Sequence, residues 1–189
     1  MSTREISDGE LHSAAPGLQA EGRRTELEAS SIVCKIKPII ASEYPTAVIN
    51  LLRTATKSID ICAYCWKWYS HRTGSPMQRI NYAIIEKARC RLPIRVRLNS
   101  EAKDHYLTKE NSRTAVALGR YPIEIKFDHS KTMSHLKMII IDKEIAILGS
   151  HNLSERSVSQ NNEASVIIIG REAVQIYSDY FERLWKNQL

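Results

Sequence analysis

Nowhere in the 189 residues does an apolar run reach the length that spans a bilayer, and the first thirty lack the apolar core of a secretory signal. The expectation is a cytoplasmic chain with no integral membrane association. Cysteine is sparse: Cys34, Cys62, Cys65 and Cys90 lie on or beside apolar segments, where a free thiol behaves as a small hydrophobe. Cys62-Ala-Tyr-Cys65 has metal-ligand spacing, yet no second pair accompanies it, and strand residues three apart face opposite sides. The six histidines form no metal-binding pattern and no carboxylates cluster for Mg²⁺, so no metal or other cofactor is expected. Helix-turn-helix and zinc-finger patterns are also missing, which argues against sequence-specific DNA recognition by this chain alone. No internal repeat is visible.

What is present is positive charge, unevenly placed. Residues 1–31 carry three arginines against six acids, a net −3, which leaves +9 on the remainder of a chain whose total is +6. A body this basic suits a polyanionic partner, nucleic acid or an anionic surface, or else serves solubility. The opening 31 residues show no sustained periodicity and read as a flexible tail, with residues 32–189 as the folded domain.

Apolar spacing predicts the elements of that domain. A short strand at Ile32–Ile36 leads through Pro38 and Pro45 to a helix with Val48, Leu51, Leu52 and Ala55 on one face. Ile59–Trp66 reads as a buried strand. Helices follow at Gln78–Cys90 and Thr108–Leu118, the second stopping at Gly119, and Ile94–Leu98 alternates between them as a half-buried strand. Ile123, Ile125 and Phe127 mark another strand, Glu163–Ile169 a further one, and Arg171–Lys186 an amphipathic last helix. Strands separated by helices on this scale indicate an α/β sandwich with a mixed central sheet.

The most informative stretch is His135–Asn152. Its apolar, β-branched centre predicts two buried strands, Ser134–Asp142 and Glu144–Leu148, turning at Asp142-Lys143. Polar groups sit at the ends. Residues two apart on a strand share a face, so His135 and Lys137 point the same way, as do Ser150 and Asn152 if the chain stays extended past Gly149. Burying such groups unpaired costs several kcal/mol, so they either bond one another or serve an anionic ligand. Gly149 suits a close backbone approach. His151 faces away from its neighbours and reads as core or rim.

The spacing His-x-Lys-x4-Asp-x6-Gly-Ser-x-Asn, at His135, Lys137, Asp142, Gly149, Ser150 and Asn152, resembles the signature of the phospholipase D superfamily of phosphodiesterases. Asn161-Asn162-Glu163 is similar to the acidic context of its small nuclease branch. Six specified positions at about one in twenty each make an accidental match improbable. The resemblance implies a phospholipase D-like α/β/α sandwich and a site built from two such motifs side by side. This chain has one, since neither His71, His105 nor His129 is followed by the rest of the pattern. A homodimer with a composite site is therefore implied. In it, one His135 would attack phosphorus to give a phosphohistidine while the other protonates the leaving group. Lys137 and Asn152, with Ser150 in support, would donate to the phosphate oxygens. Glu163 would orient His135, and Asp142 would hold Lys137 or cap the backbone.

The substrate is read as nucleic acid. Trp66, Lys67, Trp68 and Arg72 interleave rings and charge at a strand end, where they could stack on bases or else pack as a rim or dimer interface. The expected activity is metal-independent endonuclease cleavage of DNA or RNA with little sequence preference. The alternatives are a phospholipase D or phosphatidyl transferase acting on lipid, the nuclease subunit of a restriction or defence complex, and a non-catalytic basic scaffold.

Overall fold

The computed structural model describes residues 31–70, 73–102, 105–128 and 132–187. The tail expected over residues 1–31 therefore falls almost wholly outside the described residues. Seven strands form one sheet: β1 (Lys35–Ile40), β2 (Ile59–Ala63), β3 (Ile94–Asn99), β4 (Glu124–Asp128), β5 (Lys137–Ile141), β6 (Ile145–Gly149) and β7 (Ala164–Ile169). Their spatial order is β1-β7-β6-β5-β2-β3-β4. β2, β3 and β4 run parallel, and every other neighbouring pair is antiparallel, so the sheet is mixed as expected.

The helices are α1 (Tyr44–Thr54), α2 (Pro76–Arg89), α3 (Tyr106–Leu118), the short α4 (Glu155–Ser159) and α5 (Arg171–Trp185). Proline stands in the first turn of α1 and of α2, where a missing N–H costs nothing, and the Ser75 side chain caps α2 by accepting from the Gln78 N–H at 3.3 Å. Val48 and Leu52 of α1 and Ile80 and Ile84 of α2 share one core with Ile61, Val96, Ile139 and Ile147 of the sheet. The helix α5 lies on the opposite face, over β5, β6 and β7. Covered on both sides, Met138–Ile141 is buried at every position, each side chain worth about 1.5–3 kcal/mol in burial.

Three departures from the sequence reading have physical causes. The first strand continues through Pro38 to Ile40, because β1 is an edge strand paired only with β7 and can lack one N–H. β3 is not half-buried. Arg97 is buried with Asp128 at 2.9 Å and donates to the Leu184 carbonyl, while Arg95 bridges Asp60 and Glu182 at 2.7 Å each. The counter-charges come from β2, β4 and α5, none adjacent in sequence. Finally, α4 has too few residues to show a period, and the Ser154 hydroxyl that caps it was its one local sign.

The turn between β5 and β6 sits at Asp142-Lys143 as expected, both residues at φ 57° with the Glu144 N–H donating to the Ile141 carbonyl at 3.0 Å, and Ile141 pairs with Ile145 across the loop. At the other end of β6, Gly149 packs against β7 so closely that a Cβ would stand 2.4 Å from the Ser165 Cα and 2.5 Å from the Ala164 carbonyl oxygen. Those are backbone atoms and cannot swing aside. Gly149→Ala is therefore expected to part the two strands and lower stability by roughly 1–3 kcal/mol. Urea unfolding that leaves the midpoint unchanged would contradict this packing.

Candidate active site

Strand pairing brings the polar ends of the long motif together at one end of the central strands. Ala63 is opposite Lys137, Met138 opposite Leu148, and Gly149 opposite Ser165. His135 and Lys137 at the start of β5, Ser150 and Asn152 after β6, and Glu163 before β7 consequently converge, with Tyr64 beside them after β2. The Lys137 ammonium stands 2.9 Å from Nε2 and 3.0 Å from Nδ1 of His135, and it donates to the His135 carbonyl oxygen at 3.0 Å. The imidazole is exposed at the surface while the lysine is partly buried. Partial desolvation and the Lys137 charge hold the His135 pKa below its ordinary value, which favours the neutral ring. Desolvation also lowers Lys137, opposed by the charge of Glu163.

Glu163 is held in place by its own loop. Its carboxylate accepts from Ser150 Oγ, from Ser157 Oγ at 2.8 Å and from Asn161 Nδ2 at 3.0 Å. Desolvation pushes that carboxyl up, but the three donors outweigh it and keep the acid ionised. Ser157 in turn accepts from the Asn152 N–H at 2.8 Å, so α4 links Asn152 to Glu163. The expected bond from His135 to Glu163 is replaced by these local ones. Ser157 was overlooked in sequence because nothing but its place on α4 singles it out.

Asp142 does not belong to this cluster. It lies at the far end of β5, roughly 17 Å along the strand from Lys137 at about 3.3 Å per residue. There it accepts from the backbone N–H groups of Thr56 (2.9 Å), Lys57 (2.7 Å) and Ser58 (3.0 Å) and from the Thr56 hydroxyl. Of the two roles weighed for it, holding Lys137 is ruled out and capping backbone is what it does. His151 is core, stacked on Tyr44 at 4.2 Å with Nδ1 2.7 Å from Ser165 Oγ and Nε2 3.1 Å from the Ala41 carbonyl.

The expected substrate groove is also revised. Trp66 is fully buried, its indole N–H donating to Asn81 at 3.0 Å, because the bridge to Leu153 turns it into the core. Trp68 packs partly buried against the same core. Lys67 is half-buried, its ammonium 4.7 Å from the centre of the exposed Tyr106 ring. Arg72 lies outside the described residues. Among the described residues no three His, Cys, Asp or Glu side chains are grouped to hold a metal ion. Burial pushes the Cys62 thiol up to about 12, that of a core residue rather than a ligand.

An exposed imidazole paired with a lysine on a mixed α/β sheet defines the class, and comparison with known proteins places the chain within it. Residues 48–185 match the family described as cardiolipin synthase, PLD-like domain, and the chain belongs to that phospholipase D-like family. Mitochondrial cardiolipin hydrolase of Mus musculus is 24% identical over 140 residues, covering 74% of this chain and 57% of the relative. A probable cardiolipin synthase of Bacillus subtilis is 29% identical over 134 residues, covering 70% of this chain and 25% of the relative. The chain thus spans about half the length of the curated hydrolases it matches, 57% of the mouse protein and 50% of the human one. Among solved structures, NucT from Helicobacter pylori superposes with TM-score 0.66 at 17% identity, over 82% of this chain and 97% of that one. Nuc from Salmonella typhimurium, a phospholipase D family member, gives 0.64 at 16% identity, over 80% and 95%.

The Asp142 geometry makes a stability prediction. Partial desolvation raises its carboxyl, but the bonds from Ser58, Lys57 and Thr56 outweigh it and set the folded-state pKa below the ordinary 3.8. Its contribution is thus complete above pH 3.8 and disappears as pH falls through the lower folded value. Asp142→Ala should lose about 1–2 kcal/mol at neutral pH, and the gap to the natural protein should close in acid. Denaturant midpoints measured at both pH values check it. A gap that persists undiminished in acid would refute the clamp.

Proposed function

We propose that this chain is a phosphodiesterase that cleaves nucleic acid without a metal, through residues 32–189 acting as a two-fold homodimer. The observation that carries this is the exposed imidazole of His135, biased to the neutral form by partial desolvation and by the Lys137 ammonium against it. A neutral imidazole has a lone pair for phosphorus, and an adjacent cation meets the negative charge that grows on the non-bridging oxygens. The ring would attack, a P–N bond would form as the P–O bond breaks, and the second subunit's imidazolium would protonate the departing alkoxide. Water then hydrolyses the phosphohistidine, its proton returning to that second ring. Asn152 and Lys137 would bind the phosphate, Ser150, whose one hydroxyl proton goes to Glu163, would hold that carboxylate in place, and Asp142 would act only through the fold.

The +9 carried by residues 32–189 and the pairing of Lys67 with the exposed Tyr106 ring support a nucleic-acid substrate. A lipid phosphodiester is the second reading, favoured by the family match and by relatives named for cardiolipin. Among the described residues no helix is long and apolar enough to cross a membrane, which bears on how a lipid would be reached and not on whether it could bind.

One assay separates the two. Purified protein is given plasmid, single-stranded DNA, RNA and cardiolipin vesicles, each in excess EDTA. Nucleic-acid cleavage should persist, and His135→Asn should abolish it. Cleavage that needs Mg²⁺ added back would overturn the mechanism, and turnover of cardiolipin alone would favour the second reading. Mixing that variant with natural protein at random exchange should lower activity as the square of the natural fraction, because a site with one imidazole loses on the order of 10²–10⁴ from proton transfer. A linear fall would mean that each chain holds a complete site.

The pH profile follows from the same ring. The nucleophile works only unprotonated, and its pKa is held below the ordinary histidine value of 6.5. The acid limb of kcat/KM should accordingly lie below that of an unperturbed histidine. A limb at or above it would show that the lysine does not bias the ring.

A further inference from the structure

One side chain outside the motif touches both members of the His135–Lys137 pair. The Tyr64 ring meets the His135 imidazole edge-on, centroids 4.3 Å apart and planes at 65°, and the Lys137 ammonium sits 4.8 Å from the centre of the same ring. We propose that Tyr64 is a positioning residue for the phosphodiester chemistry, an aromatic plate that holds the lysine against the histidine and keeps the histidine neutral. This rests on the reading of His135 as the nucleophile.

The backbone around Tyr64 is fixed to a degree that a surface residue at a strand end does not require. Its N–H donates to the Leu136 carbonyl at 2.8 Å, between the two motif side chains. Its own carbonyl accepts from Asn111 Nδ2 at 2.9 Å. Asn111, fully buried on α3, also donates to the Asn99 carbonyl at 2.8 Å and accepts from the Trp66 N–H at 2.8 Å. The Asn99 side chain then accepts from the Ser134 N–H at 3.1 Å. Two buried asparagines therefore join the segment carrying Tyr64 to the segment carrying His135, which leaves the ring only its two side-chain torsions.

That fixed ring answers a problem set by the exposed site. Lysine on a strand end has four side-chain torsions, and within its own segment one hydrogen bond, to the His135 carbonyl at 3.0 Å, tethers its ammonium beside an imidazole that it repels once protonated. The π face attracts the ammonium and shields one side of the imidazole from water. Both effects favour the unprotonated ring, the first by keeping the cation near and the second by desolvation. Burial raises the pKa of the Tyr64 hydroxyl, so it puts no negative charge beside the pair, and the proposed role belongs to the ring. Phenylalanine should therefore replace tyrosine, whereas an aliphatic residue of similar reach should not.

The test compares Tyr64→Phe with Tyr64→Leu and Tyr64→Met in the full chain, using bis(4-nitrophenyl) phosphate and a single-stranded oligonucleotide as substrates. Unfolding midpoints identify any variant that has lost the fold, and Met fills the site if Leu does not. We expect natural kcat in the Phe variant. The aliphatic variants should lose roughly ten- to a hundred-fold in kcat, the scale of a small misplacement of reacting groups, with KM for the small diester little changed. NMR titration of the His135 ring should show its pKa rising toward the ordinary value in the aliphatic variants, with the acid limb of the rate profile moving up in step. An aliphatic variant with natural kcat and titration would overturn the proposal, as would a Phe variant as impaired as Leu. Natural protein inactive on every phosphodiester would instead sink the functional reading, while the titration would still report whether the ring acts on His135.

Discussion

Everything at the site depends on how closely β6 can approach β7 at Gly149. With no Cβ in the way, the Ser150 N–H reaches the Ala164 carbonyl at 3.0 Å and the Ala164 N–H reaches the Ser150 hydroxyl at 3.1 Å. That pair of hydrogen bonds between the two chain segments places Ser150 against Glu163. It also sets where the chain emerges, so that His151 turns into the core onto Tyr44 and Asn152 returns beside the Glu163 loop. A one-residue slip would reverse every one of these side chains. The buried run Met138–Ile141 prevents the slip from the other side, because exchanging its faces would carry the charged ends into the core.

The electrostatics of the cluster follow from being at the strand ends rather than inside the sheet. Lys137 is buried enough for desolvation to lower its pKa, yet the ionised Glu163 nearby offsets the loss. Glu163 stays ionised because three side-chain donors converge on it. Together they leave a cation beside a neutral imidazole, with an anion one step behind. An incoming phosphate therefore meets a donor first and a carboxylate second, an order suited to binding an anion. A carboxylate aimed directly outward would repel it.

Much of this was legible in the sequence, for reasons that can be located. The strands β5 and β6 were visible because a β-branched run covered on both faces leaves no other reading, and Asp142-Lys143 interrupts it with turn residues. His135, Lys137, Ser150 and Asn152 were found through period-two alternation and motif spacing, and their convergence needed only the hairpin. Glu163 was found by its Asn-x-Glu context, but its partners were not, since Ser157 lies on a helix of 5 residues with no period to detect. Trp66 was misjudged for the opposite reason. Aromatic and basic residues alternate at Trp66–Trp68, yet an isolated bridge to Leu153 and the hydrogen bond to Asn81 turn the indole inward, and both partners are distant in sequence. The ionic pairs of β3 and the contacts of Tyr64 escaped on the same ground, because they join residues from separate strands.

The proposed second copy of the chain would supply a proton that the first lacks. Once an imidazole attacks phosphorus, the leaving alkoxide needs an acid whose pKa is near neutrality, and one must lie close to His135. Within the described cluster Glu163 is held ionised and has no proton to give. The Tyr64 hydroxyl is raised above its ordinary 10.0, further from neutrality than a free phenol. Lys137 is lowered from 10.5, but spending its proton would remove the charge that stabilises the phosphate oxygens at the moment they need it. His151 is committed to Ser165 and Ala41 in the core. The group that fits is a second imidazole holding the one proton that a facing pair would share, and His135 is exposed where the His135 of the proposed two-fold mate would face it.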